Sequence, residues 1–398
     1  MAPRRGGSGG GRDGFSFDTD VNDTPMRSMF FDLYAKSDVY GQLAVNAIFA
    51  ALLLVVFFLN RRPAAKLVHV AAFCFFAACA MQCVRWGLVG GLNWVPRGYR
   101  YESSVVVLLQ RVGWPVLLVA LLRAMRPGKI LGAGPWLGVL VLGVLNLAYV
   151  VYDFLITSSS LKNLNEYDPF EGAKNNDFFL DWVKHIGWLL GDRDFSLLWT
   201  KDMVRRFTDQ PEYVSDATWW SLDAVVHYRM ERLYTPKGST EFEQRDTQIK
   251  LGLAADVLAL VLVVVIGGLH IVTWHRQGKA ELPRRRSFLA IAIGGLLLST
   301  LFRIIISAHW MLPNWAIITN LQLWDDWLAY FPDTDEAEDM VRMPSYWLDG
   351  YRTTVDGYPV LQVVFEQIGP VVACLFIVLS MAAERRSRRT VQQFKVAR

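Results

Sequence analysis

Cysteine and histidine are both scarce in this chain of 398 residues, and their positions exclude several kinds of site. The cysteines all lie inside long apolar runs, so we expect no disulfide between exterior loops. They are Cys74, Cys79, Cys83 and Cys374. The six histidines are scattered and form no cluster of the kind that a zinc hydrolase needs. We therefore expect no metal site and no cofactor, and we favour a non-catalytic role over an enzymatic one.

The first residues, MAPRRGGSGGGRDG, are rich in glycine and lack the apolar core of a secretory signal peptide. We expect residues 1–38 to form a disordered segment on the exterior side, and the first apolar run to act as an uncleaved insertion signal. Asn22 begins an Asn-Asp-Thr triplet, which is a glycosylation sequon. Asn22 is therefore a candidate glycosylation site.

Hydrophobic residues make up 53% of the chain and gather in seven long runs. A bilayer core of roughly 30 Å takes about 20 apolar residues of helix. Because lipid offers no hydrogen-bond partners to the backbone, spans of this length are expected to be helical. The sequence predicts an all-α membrane protein with seven transmembrane helices. They lie near residues 40–60, 67–90, 104–125, 131–156, 249–273, 287–310 and 358–383.

The charged residues are sorted by side. The connections after spans 1, 3 and 5, together with the tail after span 7, carry 17 Lys and Arg against two acids. The positive-inside rule places these segments in the cytoplasm, with the N-terminus outside and the C-terminus inside. The basic runs adjoin the spans, which argues against a nucleic-acid partner. We expect an integral protein of the plasma membrane or the endomembrane system, with membrane lipids as its partners.

The chain divides into alternating membrane and exterior parts. Two exterior connections are long, and the first contains helical patterns at 177–190 and 216–234. The acids of the second are expected to form a solvated face, because no calcium-loop spacing is present. The predicted parts are the segment 1–38, a first three-helix bundle plus a linker helix at 39–156, an exterior helical loop at 157–248, a second three-helix bundle at 249–383 that includes the exterior loop 311–357, and a basic cytoplasmic tail at 384–398.

Spans 1–3 resemble spans 5–7. The segment 110–113 (QRVG) in span 3 aligns with 366–369 (EQIG) in span 7, and a proline follows closely in both. Asn46 in span 1 aligns with Asp256 in span 5. The spans of each pair run in the same direction. We therefore predict a parallel duplication arranged as 3+1+3, a pattern of small transporters.

Polar or charged side chains recur at one depth, roughly 8–12 Å below the exterior boundary, taking about 1.5 Å of rise per residue. Intramembrane charges are costly and usually face a partner or a cavity. We predict an outward-opening polar pocket for a charged or zwitterionic ligand, and expect Arg303 to pair with Glu366. Ion pairs that only fix helix packing are the alternative. The candidate ligand-binding residues are Asn46, Arg85, Gln110, Arg111, Asp256, Arg303, His309, Glu366 and Gln367.

Two phrases carry a family resemblance. TLFRIIISAH (300–309) and GYPVLQVVFEQIGPVVACLFIVL (357–379) resemble the sixth and seventh spans of the fungal seven-helix lipid-translocating-exporter-like family. The resemblance implies Arg303 and Glu366 as the matching pair, and a role in sterol or sphingoid-base export. This chain differs in lacking a glutamate soon after the arginine and a His-Pro-Gly ending on the last span.

Transport or handling of an amphipathic small molecule or lipid is therefore the predicted function. A seven-helix sensor or receptor is an alternative, although the cytoplasmic connections are short and the DRY and NPxxY motifs are absent. A structural membrane protein, with interhelical ion pairs and no ligand, is a second alternative.

Overall fold

The part of the chain that the computed structural model describes is almost entirely helical. The described residues are 36–59, 65–91, 99–125, 133–166, 198, 236–277, 283–318, 352–355 and 357–396. The long helices are α1 (Lys36–Leu59), α2 (Lys66–Gly91), α3 (Tyr99–Met125), α4 (Gly134–Glu166), α5 (Pro236–Gln277), α6 (Pro283–Ile306) and α7 (Tyr358–Val396). Helix α6 continues through a π-helical turn (Ser307–Met311) into a short helix (Leu312–Ile318).

Seven helices in the described ranges are long and apolar enough to cross a membrane. Their apolar segments are Ser37–Leu59, Lys66–Leu88, Tyr101–Met125, Gly134–Ser159, Glu243–His275, Arg284–Ala316 and Tyr358–Glu384. Each corresponds to one of the predicted runs. The prediction of an all-helical, multi-pass membrane protein with seven spans is confirmed, while the sides of the termini and the 3+1+3 arrangement stay predictions.

Large apolar side chains cover the outer surface of the bundle. Phe58, Leu140 and Val144 are 70%, 64% and 60% exposed. In water, a surface of this kind would be an association or aggregation site. In a bilayer the acyl chains solvate it, which agrees with helices that are hydrophobic on all sides.

The helices contact one another in chain order, and α7 closes the ring by packing against α1. Helix α7 also contacts α2 and α3, and α3 contacts α5. The main apolar core lies along these inner faces, where Phe75, Leu117, Leu121 and Leu296 are almost fully buried. Because α3 and α7 contact helices across the bundle as well as their neighbours in the ring, polar side chains on their inner faces lie in the interior of the bundle.

A close crossing of α6 and α7 surrounds Gly369. A Cβ atom at this position would overlap both the backbone oxygen of Gly295 and Oγ of Ser299. Ser299 Oγ donates to the Phe365 carbonyl (2.6 Å) and accepts from the Gly369 N–H (3.0 Å). An ordinary helical hydrogen bond joins those two backbone groups directly. The serine hydroxyl thus enters the ladder of α7 just before Pro370, which is a recognised cause of helix bending.

Helices extend into both segments that were predicted as exterior loops. Helix α4 runs to Glu166 and α5 begins at Pro236, so helix enters the segment 157–248 from both ends. The short helix Leu312–Ile318 enters the segment 311–357. The polar first turns of α5 are supported by an exposed pair between Lys250 Nζ and Asp246 Oδ2 (2.5 Å), at the i,i+4 spacing that stabilises helices. The helices predicted at 177–190 and 216–234, the sequon at Asn22 and nearly all of 1–38 lie outside the described residues.

Candidate functional site

A cavity of about 70 Å³ lies inside the bundle, among side chains from all the spans except α1. That volume holds several water molecules or one small polar group. The lining residues are Phe75, Val107, Gln110, Arg111, Trp114, Tyr149, Ile249, Gly252, Asp256, Arg303, Ile306, Ser307, Met311, Gln362, Glu366 and Gln367. The wall therefore combines two guanidinium groups, two carboxylates and three side-chain amides with aromatic and aliphatic groups.

Two arginines meet on one oxygen atom in this wall. Arg111 Nη1 lies 2.8 Å from Asp256 Oδ1, and Arg303 Nη2 lies 2.5 Å from the same Oδ1. The Asp256 side chain is 4% exposed and each arginine side chain is 12% exposed. Charge-assisted hydrogen bonds of this length are among the stronger polar contacts in proteins. One carboxylate thus joins α3, α5 and α6.

The guanidinium of Arg111 is fixed on several sides. Asn146 Oδ1 lies 3.4 Å from Arg111 Nη1, and Asn146 Nδ2 donates to the Arg111 carbonyl at 3.1 Å. The Tyr149 ring lies under the guanidinium, 4.3 Å from its centre. Gly252 permits this arrangement, because a Cβ there would lie 2.8 Å from the Tyr149 ring and 3.5 Å from Arg111 Nη2. Helix α4 therefore holds Arg111 in position against α5.

Arg303 lies over an aromatic ring as well. Its guanidinium centre is 5.3 Å from the Trp114 ring, within the range of a cation–π contact. One residue earlier, Phe302 stacks on Phe365 with ring centroids 4.7 Å apart. This stacking joins α6 to α7 at the level of the cavity. Both arginines are thus held by an aromatic face and an acid.

Glu366 lies on the α7 wall of the same cavity. Its Oε1 accepts a hydrogen bond from Gln362 Nε2 (3.0 Å), and its carboxylate acts electrostatically on Arg303. The expected partnership of Arg303 with Glu366 is corrected by the structure, in which Arg303 forms its close ion pair with Asp256. Helix α6 packs against both α5 and α7, so an acid is available on each side, and the close ion pair forms with the acid on α5.

The cavity has a charged level and a rim of mixed apolar and polar side chains. Ile249 precedes Asp256 on α5 by about 10 Å at 1.5 Å per residue. Ile306 and Met311 follow Arg303 toward the same end of the bundle. The basic segments of the chain predict that this end faces the exterior. Formal charges of the two arginines and two acids cancel, so the cavity as a whole is neutral.

The structure brings most of the candidate residues together. Gln110, Arg111, Asp256, Arg303, Glu366 and Gln367 line the cavity. Asn46, Arg85 and His309 are not among its lining residues in the described part of the chain. Asn46 is fully buried and donates to the Gln42 carbonyl at 2.9 Å. Arg85 pairs with Glu102 at 2.9 Å, between α2 and α3.

His309 lies in the π-helical turn, between the cavity-lining residues Ser307 and Met311. Its Nδ1 is 3.0 Å from Nη1 of Arg352, which also donates to the His309 carbonyl at 2.9 Å. The backbone N–H of Arg352 donates to Asn314 Oδ1 (2.8 Å), and Asn314 Nδ2 donates back to the Arg352 carbonyl (3.0 Å). Trp310 Nε1 donates to the Thr353 carbonyl at 3.2 Å. These bonds fasten the segment 352–355, which leads into α7, across the end of α6.

Sequence reasoning missed the aromatic and glycine residues of the wall. Trp114 lies three residues after Arg111, a spacing that places both on one helix face. Tyr149 likewise lies three residues after Asn146, on the same helix face. An aromatic residue at this spacing from an intramembrane polar group was therefore the available signal. The π-helical turn, which brings Ser307 and Met311 to the cavity, was not predicted.

Within the described ranges, no three His, Cys, Asp or Glu side chains converge in a way that would hold a metal ion. Comparisons with protein-family models, with curated proteins and with solved structures each return no match. The function of the cavity is therefore inferred from its geometry.

Proposed function

We propose that this multi-pass membrane protein binds the polar end of an amphipathic small molecule or lipid in the cavity, as a transporter or lipid-handling protein. One observation carries the proposal: Arg111 and Arg303 converge on Asp256 beside an open volume inside an apolar bundle. Ionisable groups in membrane spans are rare and costly, and those that face a cavity usually mark a ligand or ion pathway.

The division of the wall favours an amphipathic ligand. Charged and amide groups would bind a polar head, and Ile249, Ile306 and Met311 would contact the first carbons of an apolar tail. A volume of about 70 Å³ accommodates a head group and excludes a whole lipid. The tail would therefore leave the cavity past these three apolar side chains.

The π-helical turn supports a site that changes during binding. A π-turn widens the helix locally, and such turns occur often at functional sites. Ser307 and Met311, its first and last residues, both line the cavity. A return of this turn to α-helical geometry would move both side chains relative to Arg303. We propose this movement as the step that opens or closes the rim.

The predicted topology agrees with this role. The 3+1+3 duplication would place the cavity between two related bundles, which is where small transporters bind their substrates. The resemblance to the lipid-translocating-exporter-like family implies Arg303 and Glu366 as a matching pair, and in this proposal both residues belong to one site. An exterior position of the rim follows from the basic cytoplasmic segments.

The test uses a substitution that fills the rim. The full chain is purified in maltoside detergent, and its melting temperature is measured with a panel of single-chain amphiphiles of anionic, cationic and zwitterionic head groups. We expect at least one class to raise the melting temperature of the wild type in a saturable way. Met311→Trp should abolish that rise, whereas Leu137→Trp, at a residue that is 61% exposed on the outer surface, should keep it.

Two results would contradict the proposal. One is a wild type whose melting temperature no amphiphile changes in a saturable way. The other is an equal response in Met311→Trp and Leu137→Trp, which would place binding on the outer surface of the bundle. Either result would favour a purely structural role for the intramembrane charges. Size-exclusion profiles of both variants establish that they are folded.

A further inference from the structure

We infer that the ligand is a compact zwitterion, with an acidic oxygen group that binds Arg111 and Arg303 and a primary ammonium that binds Glu366 and Gln367. This inference rests on the proposed function and names the chemical class of its ligand. It is carried by the placement of donors, acceptors and charge around the cavity.

The arginine side of the cavity is built to receive an anionic oxygen group. Each guanidinium has five N–H donors, and both groups aim donors at the single position that Asp256 Oδ1 occupies. Asp256 neutralises one of the two guanidinium charges, so a formal charge of +1 remains beside its carboxylate. A phosphate or carboxylate beside it satisfies further donors of the same two groups, because such anions bind guanidinium through several oxygens.

The α7 side of the cavity offers acceptors instead. The Glu366 carboxylate lines the cavity and has two oxygens with about four acceptor positions, one of which accepts from Gln362. Gln367 is 4% exposed, lines the cavity, and its buried Oε1 has no hydrogen-bond partner within the described structure. A buried acceptor without a donor is costly. An ammonium bound between Glu366 and Gln367 would supply that donor.

The charge balance selects a ligand without net charge. Arg111, Arg303 and Asp256 together carry a formal charge of +1, and Glu366 carries −1. An anionic ligand would leave the cavity negative, and a cationic ligand would leave it positive. Net charge inside an apolar bundle is costly. A zwitterion keeps the cavity neutral while it pairs with both sides.

The aromatic residues argue for a primary ammonium over a quaternary one. Quaternary ammonium groups are typically bound on open aromatic faces. Here the guanidiniums of Arg111 and Arg303 already lie over the rings of Tyr149 and Trp114, and the third aromatic residue of the lining, Phe75, is only 1% exposed. A primary ammonium needs oxygen acceptors, which Glu366 and Gln367 provide, and it is small enough for a cavity of about 70 Å³.

The experiment measures binding of four probes to the full chain in maltoside detergent by isothermal titration calorimetry. They are lysophosphatidylethanolamine, lysophosphatidylcholine, lysophosphatidic acid and free O-phosphoethanolamine. We expect lysophosphatidylethanolamine to bind at least tenfold more tightly than the choline and phosphatidic analogues. Glu366→Gln should remove this tenfold preference over lysophosphatidic acid. Glu102→Gln, a matched change at an acid outside the cavity lining, should retain it.

A second variant keeps the test decisive if Glu366→Gln does not fold. Gln367→Leu replaces a buried amide with an apolar side chain of similar size, and should lower the preference for the ethanolamine probe severalfold. The free O-phosphoethanolamine distinguishes the sources. Weak binding of the free compound supports a lipid head group, and binding as tight as that of the lysolipid supports a soluble zwitterion.

The outcomes separate this inference from the proposed function. If lysophosphatidic acid binds as tightly as the ethanolamine probe, or if the variants keep the wild-type preference, the zwitterion assignment is wrong while the cavity remains a binding site. If none of the probes binds the wild type, and the wider amphiphile panel also fails, the proposed function falls together with it.

Discussion

Arg303 on α6 and Asp256 on α5 form a buried ion pair, with Nη2 of the arginine 2.5 Å from Oδ1 of the aspartate. Because Arg111 of α3 contacts the same oxygen, this single carboxylate is the shared ion-pair partner of arginines on two other helices. Buried ion pairs are weak evidence for stability as a whole, but removal of one partner leaves an uncompensated charge.

Asp256→Asn should strongly destabilise the bundle. The substitution keeps the size of the side chain but removes the carboxylate that lies between the guanidiniums of Arg111 and Arg303, and leaves Glu366 as the acid of the cavity wall. A loss of about 3 kcal/mol is expected for breaking a buried pair from one side. Thermal unfolding in detergent measures it. Asp246→Asn, on the same helix, is the control, because its exposed pair with Lys250 contributes under about 1 kcal/mol.

A double-mutant cycle should show stronger coupling between Arg303 and Asp256 than between Arg303 and Glu366. The single changes Arg303→Gln, Asp256→Asn and Glu366→Gln are compared with the two corresponding double variants by unfolding free energy. Arg303→Gln combined with Asp256→Asn should recover part of the loss, since neither unpaired charge of that pair remains. Larger coupling to Glu366 would favour the pairing that the sequence predicted.

Gly369→Ala should destabilise the crossing of α6 and α7 by about 1–3 kcal/mol, as overpacking of a well-packed core does. The added methyl group overlaps the backbone oxygen of Gly295, which a side-chain rotation cannot relieve. Gly294→Ala is the matched control, because a Cβ there meets nothing within 4 Å. Melting temperatures of the two variants should differ clearly. Equal values would argue against this close approach.

Arg85→Gln should lower stability without changing ligand binding. Arg85 pairs with Glu102 between α2 and α3, and neither residue lines the described cavity. Loss of the pair is expected to cost about 1–3 kcal/mol, as for a buried group that loses its partner. Titration of the folded variant with lysophosphatidylethanolamine is the measurement. A tenfold loss of affinity would assign Arg85 to the binding site, where the sequence pattern had placed it.

Asn314→Ala should release the segment 352–355 from the end of α6. Asn314 is fully buried and forms hydrogen bonds with both the N–H and the carbonyl of Arg352. Hydrogen–deuterium exchange of the Arg352 amide should therefore become at least tenfold faster. His309→Ala removes a contact to the Arg352 side chain and a ring contact with Trp310, but no hydrogen bond of the Arg352 backbone amide, and should leave that exchange rate nearly unchanged. Similar exchange rates in both variants would contradict the proposal that Asn314 holds the segment 352–355 in place.

The number and type of the membrane spans could be predicted from the sequence because they depend on local properties. A run of about 20 apolar residues forms a helix in lipid whatever its neighbours are. The positions of the intramembrane charges could likewise be read directly from the sequence. Six candidate residues line the cavity because residues at a shared depth on adjacent helices come close once the bundle forms.

Which of the charged residues at this shared depth form ion pairs with one another could not be predicted in the same way. Arg303 has an acid on each neighbouring helix, so its choice depends on the rotation of α5 and α7 about their axes. Those rotations are set by packing, for example by the fit of Tyr149 against Gly252 and of Ser299 against Gly369. The isolation of Arg85 from the cavity has the same origin, since Glu102 faces it across α2 and α3.

The sequence by itself determined that this protein has seven apolar helices with charges inside the membrane, because length and hydrophobicity act on each segment separately. Only the tertiary structure decided that Asp256 joins Arg111 and Arg303, that Glu366 faces them across a cavity, and that an aromatic ring lies beneath each arginine. These relations depend on contacts between residues that are far apart in the chain, and side-chain packing between helices fixes them.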